Sequence, residues 1–255
     1  TSTSSIAPGS TLGTATPRHE ISFAGPGKTD FELEAAARVG IVVNMESEGE
    51  MRRLAAIGHR LGVRPMAAVR VNPDFELKTS GMKMGGGPKQ FGIDAERVPD
   101  VLAEMAGLPL EFWGFHIYSG SQNLRVEALV EAQDKTVELA LRLAAHAPGP
   151  VRMLNLGGGF GIPYFPGEQR LDLAPVGANL ARLVEHIRAE LPGAEPVIEL
   201  GRYLVGEAGL YVCEVIDRKV SRGQVFLVCN GGLHHHLAAS GNFGQVIRKN
   251  YPALI

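Results

Sequence analysis

VRMLNLGGGFG, residues 151–161, joins a short apolar run to a glycine-rich exit, and where such exits fall along the chain decides the fold. The run 151–156 reads as a strand, being short, apolar and closed by glycine. A dinucleotide-binding sheet carries G-x-G-x-x-G after its first strand. Here the first apolar run, residues 21–24, is followed by no such pattern. Polar and glycine-rich residues gather instead after several runs, at 116–122, 157–161 and 199–202. Active sites of (β/α)8 barrels are assembled at that rim, from the C-terminal ends of different strands. The expected fold is therefore α/β, a TIM-like (β/α)8 barrel.

Outward from this stretch the same rhythm repeats. Strands are predicted at 21–24, 41–45, 66–72, 112–118, 151–156 and 197–200, and helices at 30–39, 47–61, 95–106, 126–145 and 173–191. Strands alternating with helices make a parallel sheet. Beyond Gly209 the pattern changes to two apolar runs, 210–216 and 224–229, around Ser221-Arg222-Gly223, which reads as a hairpin opening a β-rich domain. Residues 1–16, rich in Ser, Thr, Gly, Ala and Pro, have little to bury and read as a flexible or incomplete leader. The expected organisation is leader 1–16, barrel 17–208 and the start of a C-terminal β domain at 209–255.

Composition narrows the function. With 25 Lys+Arg against 27 Asp+Glu, the net charge of -2 lacks the cationic excess of a general nucleic-acid binder. Two cysteines, Cys213 and Cys229, are too few for a disulfide scaffold and suit a reducing compartment. No apolar run reaches the roughly 20 residues that span a bilayer, so the expected location is cytoplasmic and no membrane partner is expected. Adjacent strand residues point to opposite faces, so His234, His235 and His236 do not make a metal site, and none is expected.

Three segments, residues 115–122 (FHIYSGSQ), 155–161 (NLGGGFG) and 199–202 (ELGR), occur in an order and spacing that resembles the fold type III pyridoxal-phosphate decarboxylases, the group of ornithine and diaminopimelate decarboxylases with an alanine racemase-like barrel. Residues 75–93 and 231–251 are most similar to the subgroup associated with exosortase A systems. The resemblance implies a pyridoxal 5'-phosphate-dependent L-amino-acid decarboxylase acting on a small amino acid, diaminopimelate- or ornithine-like or presented on an acyl carrier protein, and a homodimer.

The resemblance also implies roles for individual residues. Decarboxylation leaves an electron pair at Cα that the cofactor ring accepts, so its nitrogen should be protonated, and a carboxylate beside it favours that ion. Glu199 occupies this position. Gly157, Gly158 and Gly159 would cradle the phosphate with backbone N–H groups unobstructed by side chains. Gly201 and Arg202 would adjoin it, Arg202 adding charge. His116 would stack on the ring, Ser119 would hydrogen-bond nearby, and Arg70 would support the pocket or form a structural ion pair. The loop 78–89, with Gly85-Gly86-Gly87, reads as a lid.

Two family features have no counterpart here. The Tyr-Ala-x-Lys-Ala-Asn-like segment, whose lysine forms an imine with the cofactor, is absent, as is the C-terminal Cys-x-x-x-Asp segment with its later tyrosine. The six strands correspond to family strands three to eight, and the expectation is that the polypeptide is longer than these 255 residues. The alternatives are a racemase of the same fold, which places an arginine rather than a carboxylate at the ring nitrogen, and a pyridoxal-phosphate-binding protein without turnover.

Overall fold

In the computed structural model, which describes residues 16–75, 82–83, 87–232 and 235, the predicted parallel sheet is present. Its elements in chain order are β1 (Ser22–Phe23), α1 (Asp30–Val39), β2 (Val42–Met45), α2 (Glu48–Leu61), β3 (Met66–Asn72), β4 (Met82–Lys83), β5 (Ile93–Asp94), α3 (Val98–Met105), β6 (Glu111–Ile117), β7 (Gly120–Ser121), α4 (Val126–Ala144), β8 (Met153–Asn155), α5 (Leu173–Glu190), β9 (Glu195–Val197), α6 (Gly201–Val205), β10 (Val215–Ser221) and β11 (Gln224–Cys229). No helix among the described residues is long and apolar enough to cross a membrane.

The main sheet runs β1-β2-β3-β6-β8-β9, all parallel, with β5 also pairing with β3. Each strand joins beside its predecessor and the order never reverses. A doubly wound sheet reverses at a switch point, whereas a barrel wall grows in one direction. The chain therefore builds a half-barrel of the (β/α)8 type.

Local sequence sets the repeating unit. Thr29 caps α1 by accepting from the Glu32 backbone N–H while the Glu32 carboxylate accepts from the Thr29 N–H, and Gly40 ends the helix at φ 74°. Ser47 caps α2 by accepting from the Glu50 backbone N–H, and Gly62 closes it at φ 66°. Both glycines turn the chain into the next strand through a conformation that side chains disfavour.

Strand alternation divides the wall into two faces. Ala67, Val69 and Val71 of β3, with Phe115 and Ile117 of β6 and Leu154 of β8, enter the main core beneath the helices. The opposite face carries a small apolar cluster of Val42, Ala68 and Met153. Above that cluster the register pairs Arg70 with His116 and His116 with Asn155, so polar residues from three strands form one row near the C-terminal rim. Gly114, in the layer below, has φ 148°, and a Cβ there would lie 1.8 Å from the Met153 carbonyl oxygen.

The structure shifts several sequence boundaries. The strand expected at 197–200 is Glu195–Val197, so Glu199 lies past its strand and not within it. The hairpin expected from 210 begins at Val215 and turns through Arg222 (φ 50°) and Gly223 (φ 80°). The expected lid falls largely outside the described residues, as do His234 and His236.

Candidate functional site

Of the nine residues predicted for the site, Gly157, Gly158 and His116 adjoin Glu199 directly. The Glu199 backbone N–H donates to the Gly157 carbonyl at 2.9 Å, which brings the chain beyond β9 against the glycine run beyond β8. A Cβ on Gly158 would lie 1.7 Å from the Glu199 carbonyl oxygen, so these two backbones touch. Gly157 and Gly159 have φ of 69° and 84°. A Cβ on Gly157 would meet the Ile117 carbonyl at 2.8 Å, and one on Gly159 would meet the Gly120 carbonyl at 2.2 Å. Any side chain in this run would collide with backbone. Gly158 differs from its neighbours in that close approach to Glu199, not a positive φ, demands glycine there.

The Glu199 side chain faces the polar row. Its Oε1 accepts from Asn155 Nδ2 at 2.8 Å, and its Oε2 lies 3.5 Å from His116 Nε2. Asn155 Oδ1 in turn accepts from the Gly157 N–H at 2.8 Å, so one amide joins the carboxylate to the glycine run. Burial pushes the Glu199 carboxyl up, but the His116 ring, the Asn155 amide and the Arg70 charge outweigh burial and hold it at about 2. It is ionised at neutral pH. His116 is 1% exposed, and neither ring nitrogen makes an aligned hydrogen bond.

Arg70 resolves its two sequence readings into one observed contact. Its Nη1 donates to Glu46 Oε1 at 2.7 Å, both side chains are buried, and its guanidinium lies 4.8 Å from the Phe91 ring centroid. Glu46 also accepts from the Gly25 and Gly92 backbone N–H groups at 2.6 and 2.8 Å. This carboxylate gathers three loops at the rim, and sequence reasoning assigned it no role. Its signal was the one Glu199 gave, an acidic residue ending an apolar run. Ser119, half-buried, lies between β6 and β7, and Gly201 opens α6. Arg202, exposed, donates from Nη1 to Gln122 Oε1 at 3.0 Å.

A second buried ion pair stands behind this one. Lys28 Nζ reaches Glu50 Oε1 at 2.8 Å and also donates to the Gly25 and Asn44 carbonyls. Lys28 is 4% exposed, and its ammonium is fully engaged inside the wall. Among the described residues no group of three His, Cys, Asp or Glu is placed to hold a metal ion.

Comparison with known proteins gives this arrangement a setting. The family "Pyridoxal-dependent decarboxylase, pyridoxal binding domain" matches residues 9–206. The chain is 38% identical over 235 residues to the L-glutamyl-[BtrI acyl-carrier protein] decarboxylase of Niallia circulans, covering 91% of this chain and 55% of that protein. It is 31% identical to the diaminopimelate decarboxylase of Aquifex aeolicus, covering 86% and 51%. Among solved structures, diaminopimelate decarboxylase from Helicobacter pylori complexed with L-lysine superposes with a TM-score of 0.71 at 26% identity, covering 88% of this chain and 55% of that one. The chain spans about half the length of the curated relatives it matches.

Proposed function

Because the chain belongs to the pyridoxal-dependent decarboxylases, whose pyridoxal binding domain it matches, we propose that it serves the pyridoxal 5'-phosphate-dependent decarboxylation of an L-amino acid. The observation that carries this reading is the Glu199 carboxylate, held ionised at about 2 beside a run of glycines that no Cβ can enter. The residues fit the cofactor. A glycine cradle suits a phosphate, a buried histidine with unpartnered ring nitrogens suits a flat aromatic ring, and a permanent carboxylate suits a protonated ring nitrogen.

Bound pyridoxal phosphate supplies an acceptor for the electron pair that remains at Cα when carbon dioxide leaves. Glu199 would hold a proton on the ring nitrogen by charge, and the Asn155 amide holds Glu199 in place. Gly158 and Gly159, with Gly201, Arg202 and Ser119, would bind the phosphate end, the Gly157 N–H being taken by Asn155 Oδ1. His116 packs on the ring. Arg70, fixed by Glu46, contributes positive charge that keeps Glu199 ionised.

In this reading residues 17–208 form the cofactor-binding barrel portion, and the hairpin at 215–229 belongs to a β-rich region that follows it. The working form is a homodimer, which the family resemblance implies, and its location is cytoplasmic, in keeping with the free Cys213 and Cys229. Residues 75–93 and 231–251 support membership of the exosortase A-associated subgroup. The 38% identity to a decarboxylase whose name specifies an acyl-carrier-protein substrate supports a carrier-tethered amino acid over a free one. A carboxylate at the ring-nitrogen position argues against the racemase alternative.

The test is carbon dioxide release by the full-length polypeptide with pyridoxal phosphate, offered diaminopimelate, ornithine, lysine, arginine and an L-glutamyl thioester on an acyl carrier protein. Cofactor-dependent release from one of these is expected. Cofactor binding without release from any would favour the non-catalytic alternative.

A further inference from the structure

Gln122 combines features that the reading above leaves unused. Among the described residues only Gln122 and Arg222 have positive φ without being glycine, and Arg222 sits in a hairpin turn where such values are ordinary. Gln122, at φ 55°, immediately follows β7. A non-glycine residue held there is strained, and such strain persists where surrounding contacts enforce it. Those contacts are visible. The Gln122 amide donates from Nε2 to the Ile162 carbonyl at 2.5 Å, and its Oε1 accepts from the Ile162 N–H at 3.4 Å and from Arg202 Nη1 at 3.0 Å. One side chain thus spans 40 residues to one partner and 80 to the other.

The surrounding backbone explains what this link does. Asn123 N–H donates to the Gly159 carbonyl and Gly161 N–H to the Asn123 carbonyl, each at 2.8 Å, so the segment after β7 is paired with the end of the glycine run. Arg202 lies one residue into α6, three past Glu199, whose backbone touches the same glycines. Its guanidinium is held on one side by Gln122 and lies 5.6 Å from the Tyr164 ring centroid on another. A free arginine samples many rotamers, whereas one tethered at the guanidinium has lost that freedom before a ligand arrives.

We propose that Gln122 is a positioning residue that presents Arg202 to the phosphate of the cofactor at the glycine cradle. This rests on the pyridoxal-phosphate reading of the site. Gln122 touches no reacting atom in this proposal and acts only through Arg202 and the Ile162 backbone.

The test measures equilibrium binding of pyridoxal 5'-phosphate and of unphosphorylated pyridoxal to the full-length polypeptide. Gln122→Ala should weaken pyridoxal phosphate binding about tenfold, the scale of one charge-assisted contact, and leave pyridoxal within about twofold. Gln122→Gly, which relieves the positive φ and so guards against a folding defect, should show the same selective loss. In an Arg202→Ala background, Gln122→Ala should add less than about twofold, because the group it positions is gone. Equal weakening of both ligands, additive losses in the double variant, or unchanged pyridoxal phosphate affinity would each overturn the proposal. A parent protein that binds neither ligand would instead overturn the reading of the site, and the proposal with it.

Discussion

Glu199 owes its charge to neighbours on three strands, and its removal should be felt in two ways. In the full-length polypeptide, Glu199→Ala should lower decarboxylation on the order of 100-fold or more, since the ring nitrogen loses its charge partner. Unchanged turnover in a folded variant would remove Glu199 from this role. The second effect is on acid stability. A carboxyl lowered from 4.5 to about 2 on folding contributes stability that is fully present above 4.5 and is lost as the pH falls toward 2. Urea unfolding of parent and Glu199→Gln should therefore differ at about pH 6, and the difference should narrow through about pH 3 and vanish only near or below pH 2. Gly158→Ala tests the adjoining contact: a methyl group 1.7 Å from the Glu199 carbonyl must displace it, so cofactor affinity should fall more than thermal stability. Equal affinity for variant and parent would reduce the glycines to a plain turn.

At the level of elements, the β/α units are held together by features of very different visibility in the sequence. The boundaries of β3 could be read from an apolar run set between Pro65 and Pro73, and those of α1 from a capping box and a terminal glycine. The end of β9 could not, because Glu199 leaves the ladder to pair with Gly157, a partner 42 residues away that no local pattern announces. β5 and β7, two residues each, are too short to show a period. In the site, Glu199, His116 and the glycines stood out by motif. Asn155 and Gln122 fell within those motifs without showing their roles, and Glu46 fell outside them, because what each does depends on what lies opposite it across strands and loops. The Lys28–Glu50 pair joins the β1–α1 turn to α2 and gives an element-scale prediction. Burial pushes the Glu50 carboxyl up while Lys28 opposes it. Lys28→Met should cost about 3–5 kcal/mol near neutral pH by stranding a buried carboxylate. A raised pKa means stability present at low pH and lost as the pH rises, so the deficit should shrink on acidification. Thermal melts across pH check this, and a deficit independent of pH would mean that Glu50 stays charged without its partner.

For the whole molecule, the wall and the hairpin present opposite surfaces. The wall buries its apolar residues beneath α1 to α5, whereas β10 and β11 expose apolar side chains on both faces, including Ile216, Val220, Val225, Phe226, Leu227 and Val228. Leu210 and Val212, leading into the hairpin, are 95% and 85% exposed. Strands apolar on both faces have the pattern of strands covered on both sides, and uncovered ones associate. The 255-residue chain should sediment as larger species at about 50 µM than at about 5 µM, and Phe226→Asp combined with Leu227→Asp should reduce that dependence. Concentration-independent sedimentation of the parent would contradict it. The contact between Gly158 and Glu199 has a different consequence at this scale. Because the glycine run and the carboxylate meet backbone to backbone, the span between them is a ruler graduated in peptide geometry. Substitutions elsewhere on the rim can reshape what approaches the site, while the gauge against which a bound ring is measured keeps its length.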